Sequence, residues 1–417
     1  MNEDDPYYYY YSNDNKVFSN KFYLISSNSN QDLNRFHIPN VEKAFDELNL
    51  LNEPQESLNE LYVNRAKQLR EKYDYLVLFY SGGADSHCIL ETFMLNGIFI
   101  DEILIICTNS SDLNQIKNND FEYFTYLDSE GLAYSAEKSA IPLAKYYVEN
   151  YSPHTKITYF SNFLEEHLKF WEKNNHKNNL QNLKSVGEII LNKPFFRVTQ
   201  VDNFNPQWKK IKEKKNVAHI WGREKPYIRY DNFGYYFSFS EQLLLTSYDK
   251  LYKLSKDGLP INHELFYIHP NFPKLFLKQA HELINKLEKK YFMHENQKQI
   301  ETRFYQDKIS DVIYSFRIQI PISSCKSADI FLDYKSNPQK YPTLNKIVKN
   351  FGINSIKYRP SFQKFFIENP SLDAVKNYKN FMMLVFDVFP NKQYRKIDIL
   401  EHLTKNISTK KFYIKKF

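Results

Sequence analysis

The segment Tyr75 to Ser86, YLVLFYSGGADS, constrains this fold more than any other stretch of the chain. Its first six residues are apolar on both faces, as a strand in the middle of a parallel sheet must be. A turn, Ser81 to Asp85, follows at once, and the residues from about Ser86 to Asn96 read as a helix stopped by Asn96-Gly97. Glycine is scarce, at nine residues in 417, and two of them stand side by side in this turn. A glycine pair in so glycine-poor a chain marks a place where the backbone does something unusual.

Further strands repeat the pattern. Glu102 to Cys107 (EILIIC) is a second buried strand. Lys156 to Phe160 (KITYF) follows an amphipathic helix over about Ser135 to Asn150, and Asn216 to Trp221 (NVAHIW) is a fourth candidate. Short buried strands separated by helices argue for an α/β fold with a parallel sheet, expected over residues 71–250. Residues 1–70 read as an N-terminal cap. In it Lys21 to Ser26 can make a strand, and a helix from Pro54 lines up Leu58, Leu61, Ala66 and Leu69. Residues 251–292 read as a helical extension, with Leu275, Phe276, Ala280, Leu283 and Leu287 on one stripe after Pro273. Residues 293–417 form a smaller C-terminal α+β region with one strand candidate, Ser315 to Ile322. Its tail carries Lys405, Lys410, Lys411, Lys415 and Lys416 with no acid after Glu401; it reads as a solvated basic end, the alternative being a phosphate-contacting arm. The Tyr7 to Tyr11 run and Asn/Lys-rich stretches such as Asn174 to Asn182 read as codon bias.

Composition removes whole classes of protein. With 42% hydrophobic and 17% aromatic residues the chain is not disordered. A net charge of +7 is too mild to demand nucleic acid, but it suits polyanionic small molecules such as nucleotides. Cys88, Cys107 and Cys325 lie far apart with no CxxC, against a disulfide framework or a cysteine zinc cluster. The acidic, tyrosine-rich start MNEDDPYYYYY is unlike a signal or transit peptide. No apolar run reaches the roughly 18 residues of a membrane span. A cytoplasmic protein is the expectation.

The chemistry concentrates at Ser81-Gly82-Gly83-Ala84-Asp85-Ser86. Two glycines remove the Cβ atoms that would hold a polyphosphate away from the backbone amides. The following helix points its unpaired N–H groups and positive dipole end at the same place. Ser81 and Ser86 add hydroxyl donors. Asp85 is repulsive beside a phosphate unless a cation bridges the two, and Mg²⁺ is the natural bridge. The plain alternative is an ordinary glycine turn with an Asp/Ser helix cap. Neither a Walker A loop nor G-x-G-x-x-G is present.

S-G-G-x-D-S after a hydrophobic strand resembles the signature of the PP-loop, or N-type ATP pyrophosphatase, superfamily, whose members include asparagine, GMP and NAD synthetases and tRNA thiolases. The resemblance is strong over about residues 72–110, and the sheet pattern is compatible with it to about 240. It implies an adenine-nucleotide-α-hydrolase-like, Rossmann-like core that uses ATP and Mg²⁺. It further implies cleavage between the α- and β-phosphates, and an adenylated carboxylate or carbonyl oxygen that an amine or sulfur nucleophile displaces. Carried onto this chain, Ser81, Gly82, Gly83, Ala84, Asp85 and Ser86 hold the polyphosphate, and Asp85 helps hold the metal. Thr108 and Asn109, closing the second strand, stand where the family contacts adenosine, although any strand end is polar. His219 to Pro226 (HIWGREKP) is similar to the family's later glycine followed by basic residues. Gly222, Arg223 and Lys225 would then face the phosphates, the alternative being a solvated loop. Phe266 to His281 is similar to a segment of asparagine-synthetase-like PP-loop proteins of large DNA phages, which implies a virus-encoded protein in a host cytoplasm.

The departures narrow the reading. Asn2 stands where a glutaminase domain would carry its cysteine, and 70 residues are too few for that domain. The cysteine clusters of the deazaguanine and thiolase branches are missing, leaving Cys325 as the only candidate sulfur carrier, and it reads rather as a free structural cysteine. His263, His269 and His281 lack ligand spacing and read as structural; Asp231 to Gly234 lacks the rest of a kinase set. Lys326, Asp329 and Asp333 suit a pocket or a strand edge. The expected activity is an AMP-forming ligase acting on an unidentified small molecule, asparagine-synthetase-like without a glutaminase. The alternatives are a nucleobase- or tRNA-modifying enzyme, tRNA being the less favoured partner on the mild charge, and a non-catalytic nucleotide-binding module.

Overall fold

The computed structural model describes residues 6–13, 16–18, 24, 35–106, 140–160, 216–222, 225–239, 262–290 and 407–416. Strands β1 (Tyr10–Asn13), β2 (Lys16–Phe18) and β3 (Arg35–His37) make a small antiparallel sheet in the order β2-β1-β3. The tyrosine run feeds this sheet with a two-residue period: Tyr7, Tyr9 and Tyr11 are buried while Tyr8 and Tyr10 are half-buried. The run is therefore structural, not merely compositional. Of the strand expected over Lys21 to Ser26, only Leu24 is described, and it is helical and buried.

Helix α1 spans Pro39–Asp46 and α2 spans Leu58–Lys72. The start of α2 is set by a capping box: the Glu60 N–H donates to the Ser57 hydroxyl, and the Ser57 N–H to the Glu60 carboxylate. Leu61, Tyr62, Ala66 and Leu69 form its buried face.

From there the chain builds one five-stranded, all-parallel sheet. Strand β4 (Tyr75–Phe79) leads into α3 (Ala84–Leu95), then β5 (Glu102–Ile106). Helix α4 (Ile141–Tyr151) precedes β6 (Lys156–Phe160), and β7 is Val217–Trp221. A hairpin of β8 (Arg229–Asp231) and β9 (Gly234–Phe237) comes next, then β10 (Asn262–Leu265), α5 (Pro273–Lys290) and β11 (Phe412–Lys416). The parallel sheet runs β10-β7-β4-β5-β6. The chain thus starts at β4, builds outward through β5 and β6, then returns to add β7 and β10 on the other side. This mixed α/β architecture is compatible with a Rossmann-like core. The order reverses between β4 and β7, and at such a point the two strands' following loops diverge and leave a crevice at their carboxyl ends.

Two features depart from the local pattern. Strand β10 reads Asn-His-Glu-Leu and lies past residue 250, in the stretch expected as a helical extension, so the sheet runs further along the chain than 71–250. The basic tail is not a solvated end: β11 pairs antiparallel with β9 and buries Phe412 and Ile414. Three of its lysines are partnered, Lys410 with Asp46, Lys411 with Asp231 and Lys415 with Glu288. Phe45, Phe237, Phe239, Phe276 and Phe412 form one aromatic cluster there. Asp231 to Gly234 is the β8–β9 turn. Ser315 to Ile322, Cys325, Lys326, Asp329, Asp333 and Lys405 lie outside the described residues. Among the described residues no helix is long and apolar enough to cross a membrane.

Candidate functional site at the β4–β7 crevice

The site is built on two loops that leave neighbouring strands side by side. Phe79 and Trp221 are register partners at the ends of β4 and β7, with their rings stacked 3.8 Å apart. Tyr80 keeps the ladder with β5 for one more residue, its N–H donating to the Leu104 carbonyl at 2.9 Å. The chain then turns. Gly82 has φ 69°, a left-handed conformation that costs other residues energy, so the glycine is required by the backbone.

Helix α3 begins without a side-chain cap. Gly83 occupies the N-cap position and has no side chain to cap the first turn, in contrast to the capping box of α2, while its own N–H donates to the Ser81 hydroxyl at 3.4 Å. The Asp/Ser-cap alternative therefore does not hold. The Ser86 hydroxyl turns back to donate to the Gly83 carbonyl at 3.2 Å and accepts from the Ser81 N–H at 3.2 Å. Its oxygen also lies 3.2 Å from the Ser81 hydroxyl. The loop is thus cross-braced internally. The first four N–H groups of α3 lack intrahelical acceptors and carry the positive end of the helix dipole.

The second loop closes on the first. Gly222 sits so close to it that an added Cβ would lie 2.9 Å from the Ser86 nitrogen and 3.0 Å from the Asp85 carbonyl carbon. Only glycine permits that approach. Lys225 brings its Nζ within 3.6 Å of Asp85 Oδ1, and both side chains remain more than one third exposed. A cation and a carboxylate therefore face one another at the mouth of the crevice.

Beneath the loop the contacts are buried. Tyr80 and His87 share a hydrogen bond at 3.0 Å, and Tyr147 donates to Glu91 at 2.6 Å. Burial pushes His87 down to about 4, so its imidazole is neutral at physiological pH, and pushes the Cys88 thiol up to about 12, leaving it unreactive. On the far side, the Tyr267 hydroxyl donates to the Asp85 carbonyl at 2.5 Å.

The structure brings Ser81, Gly82, Gly83, Ala84, Asp85, Ser86, Gly222 and Lys225 together; Arg223, Thr108 and Asn109 lie outside the described residues. Tyr267 was not legible beforehand, because it reaches the loop from 182 positions away and follows a polar strand. His263 accepts from the Trp221 indole N–H, and His281 Nε2 lies 3.0 Å from the Leu50 carbonyl. Among the described residues no trio of His, Cys, Asp or Glu is placed to hold a metal by itself. No protein-family model matches the chain, and no curated protein does.

Proposed function

We propose that the protein binds MgATP in the β4–β7 crevice and transfers its adenylyl group to a carboxylate or carbonyl oxygen of a small-molecule substrate, for displacement by an amine. One observation carries the reading. Two segments about 140 residues apart in sequence meet as an uncapped helix start, a glycine backed against its peptide and a lysine facing an aspartate. The resemblance to PP-loop ATP pyrophosphatases supports the same reading, and with it an adenine-nucleotide-α-hydrolase-like core.

The residues fit the groups they would hold. Amides at the start of α3, with the Ser81 and Ser86 hydroxyls, would cradle phosphate oxygens. Asp85 is a single exposed carboxylate, which suits Mg²⁺, an ion commonly held by one or two carboxylates plus phosphates and water. When bound, MgATP supplies an electrophilic α-phosphorus and pyrophosphate as the leaving group. Lys225, already at the mouth, would offset negative charge developing on the departing side. The apolar floor of Phe79 and Trp221 would keep bulk water from beneath the loop.

The test uses α-labelled ATP and Mg²⁺ with the purified chain, alone and with a small-molecule extract or bulk tRNA. Labelled AMP or an adenylate formed by the wild type and abolished by Asp85→Ala is the expected result. Stimulation by tRNA instead of the extract would redirect the reading to nucleobase modification. Label found only in ADP, or no ATP binding, would overturn α–β cleavage.

A further inference from the structure

One peptide plane in the crevice is held from both sides. Asp85 and Ser86 are the second and third residues of α3. The Asp85 carbonyl and the Ser86 N–H belong to the same planar unit and point in opposite directions, so fixing one fixes the other. The Ser86 N–H is one of the four at the helix start that have no intrahelical acceptor. Tyr267 donates its hydroxyl to the carbonyl end of this plane at 2.5 Å. Gly222 backs the opposite end, where any Cβ would crowd the Ser86 nitrogen at 2.9 Å.

Tyr267 is itself immobilised. It is completely buried, with its ring edge-on to Tyr62 at 6.0 Å and to Phe266 at 5.3 Å. Arg65, also buried, donates to the Leu265 carbonyl at 3.1 Å and the Phe266 carbonyl at 3.4 Å, and is itself fixed by Glu264 at 2.8 Å. The Phe266 N–H donates to the Trp221 carbonyl at 3.0 Å, one residue before Gly222. The segment Leu265 to Tyr267 therefore sets both jaws of the clamp: Gly222 through the sheet ladder and the Asp85 carbonyl through the tyrosine hydroxyl.

We infer that Tyr267 is a positioning residue which aims the Ser86 amide at the bound polyphosphate by holding the Asp85–Ser86 peptide plane. The inference rests on the polyphosphate reading of the crevice. In this role the tyrosine acts through its hydroxyl, since the ring is packing that phenylalanine can supply.

The experiment compares wild type and Tyr267→Phe by calorimetric titration with MgATP, inorganic pyrophosphate and adenosine, alongside thermal unfolding. The expected result is affinity about fivefold to tenfold weaker for MgATP and pyrophosphate, the loss of one hydrogen bond's orienting effect. Adenosine affinity and the unfolding midpoint should stay close to wild type. Gly222→Ala should weaken the same two ligands, and the double variant should lose less than the product of the single losses, because both changes act on one peptide. Equal MgATP affinity in wild type and Tyr267→Phe, or a parallel loss for adenosine, overturns the inference. Wild type that takes up neither MgATP nor pyrophosphate overturns the polyphosphate reading and the role of Tyr267 with it.

Discussion

Asp85 and Lys225 on one hand, and Arg65 and Glu264 on the other, are two ion pairs with opposite consequences. The first is more than one third exposed, so water screens it and it contributes at most about 1 kcal/mol to stability. Lys225→Ala should therefore leave urea unfolding nearly unchanged while, on the proposed function, lowering ATP turnover by about 100-fold, the scale of losing one charge that stabilises the transition state. A parallel loss of stability and turnover would count against that role. The second pair is sealed, with Arg65 and Glu264 at 1% and 2% side-chain exposure. Burial alone would raise the Glu264 carboxyl. The Arg65 guanidinium, followed by His269, Lys72 and the Tyr73 hydroxyl, reverses this and holds it down to about 2. Arg65→Met would leave the buried carboxylate with the half-exposed Lys72 as its cationic partner and should cost up to about 3–5 kcal/mol. Adding Glu264→Gln to that variant should recover much of the loss in chemical denaturation.

The two helices start in different ways, one with a capping box and one at a glycine. Helix α2 closes its first turn with Ser57 and Glu60, whereas α3 leaves Gly83 uncapped in the crevice. Ser57→Ala should cost about 1 kcal/mol by thermal or urea unfolding without touching nucleotide affinity. Strand β11 is the other instructive element. Its lysines alone suggested a solvated tail, but Phe412 and Ile414 alternate inward, Phe412 against Phe45, Phe237 and Phe239. Phe412→Ala should cost about 3–5 kcal/mol, because the cavity opens inside a packed aromatic cluster. Strand β10 was invisible in the pattern for a related reason. Its glutamate and histidine look like loop residues until Arg65 and Trp221 supply their partners.

Across the whole molecule, buried titratable groups set the response to acid. His87 is pushed down to about 4 by burial, and His269 to about 3 by burial and then by the Arg65 cation. Both are neutral in the folded chain and take a proton near pH 6.5 when unfolded. The unfolded state therefore binds more protons below about 6.5, and stability falls as pH drops from there toward 4 and 3. Glu264 acts lower. Its folded value near 2 lies below its unfolded one, so its contribution is full above about 4.5 and is lost as pH falls toward 2. Urea midpoints measured from pH 8 to pH 4 should decline in the acid half of that range. A flat profile would show that the two imidazoles are not buried neutral.

Local pattern was enough for the parallel-sheet frame and for the first loop of the candidate site. YLVLFY is apolar on both faces, which no surface strand tolerates, and SGGADS places glycines where the next helix starts, because chain neighbours alone determine that geometry. HIWGREKP pointed to Gly222 and Lys225 by type, but only the tertiary structure decided that they meet Asp85 and Ser86. Tyr267, the strand at 262–265, the alternating tyrosines at the N-terminus and the docked basic tail were likewise decided by the fold. The physical reason is common to all of them. A polar or charged side chain is buried only when a partner from elsewhere in the chain satisfies it, and that partner leaves no trace in the local sequence.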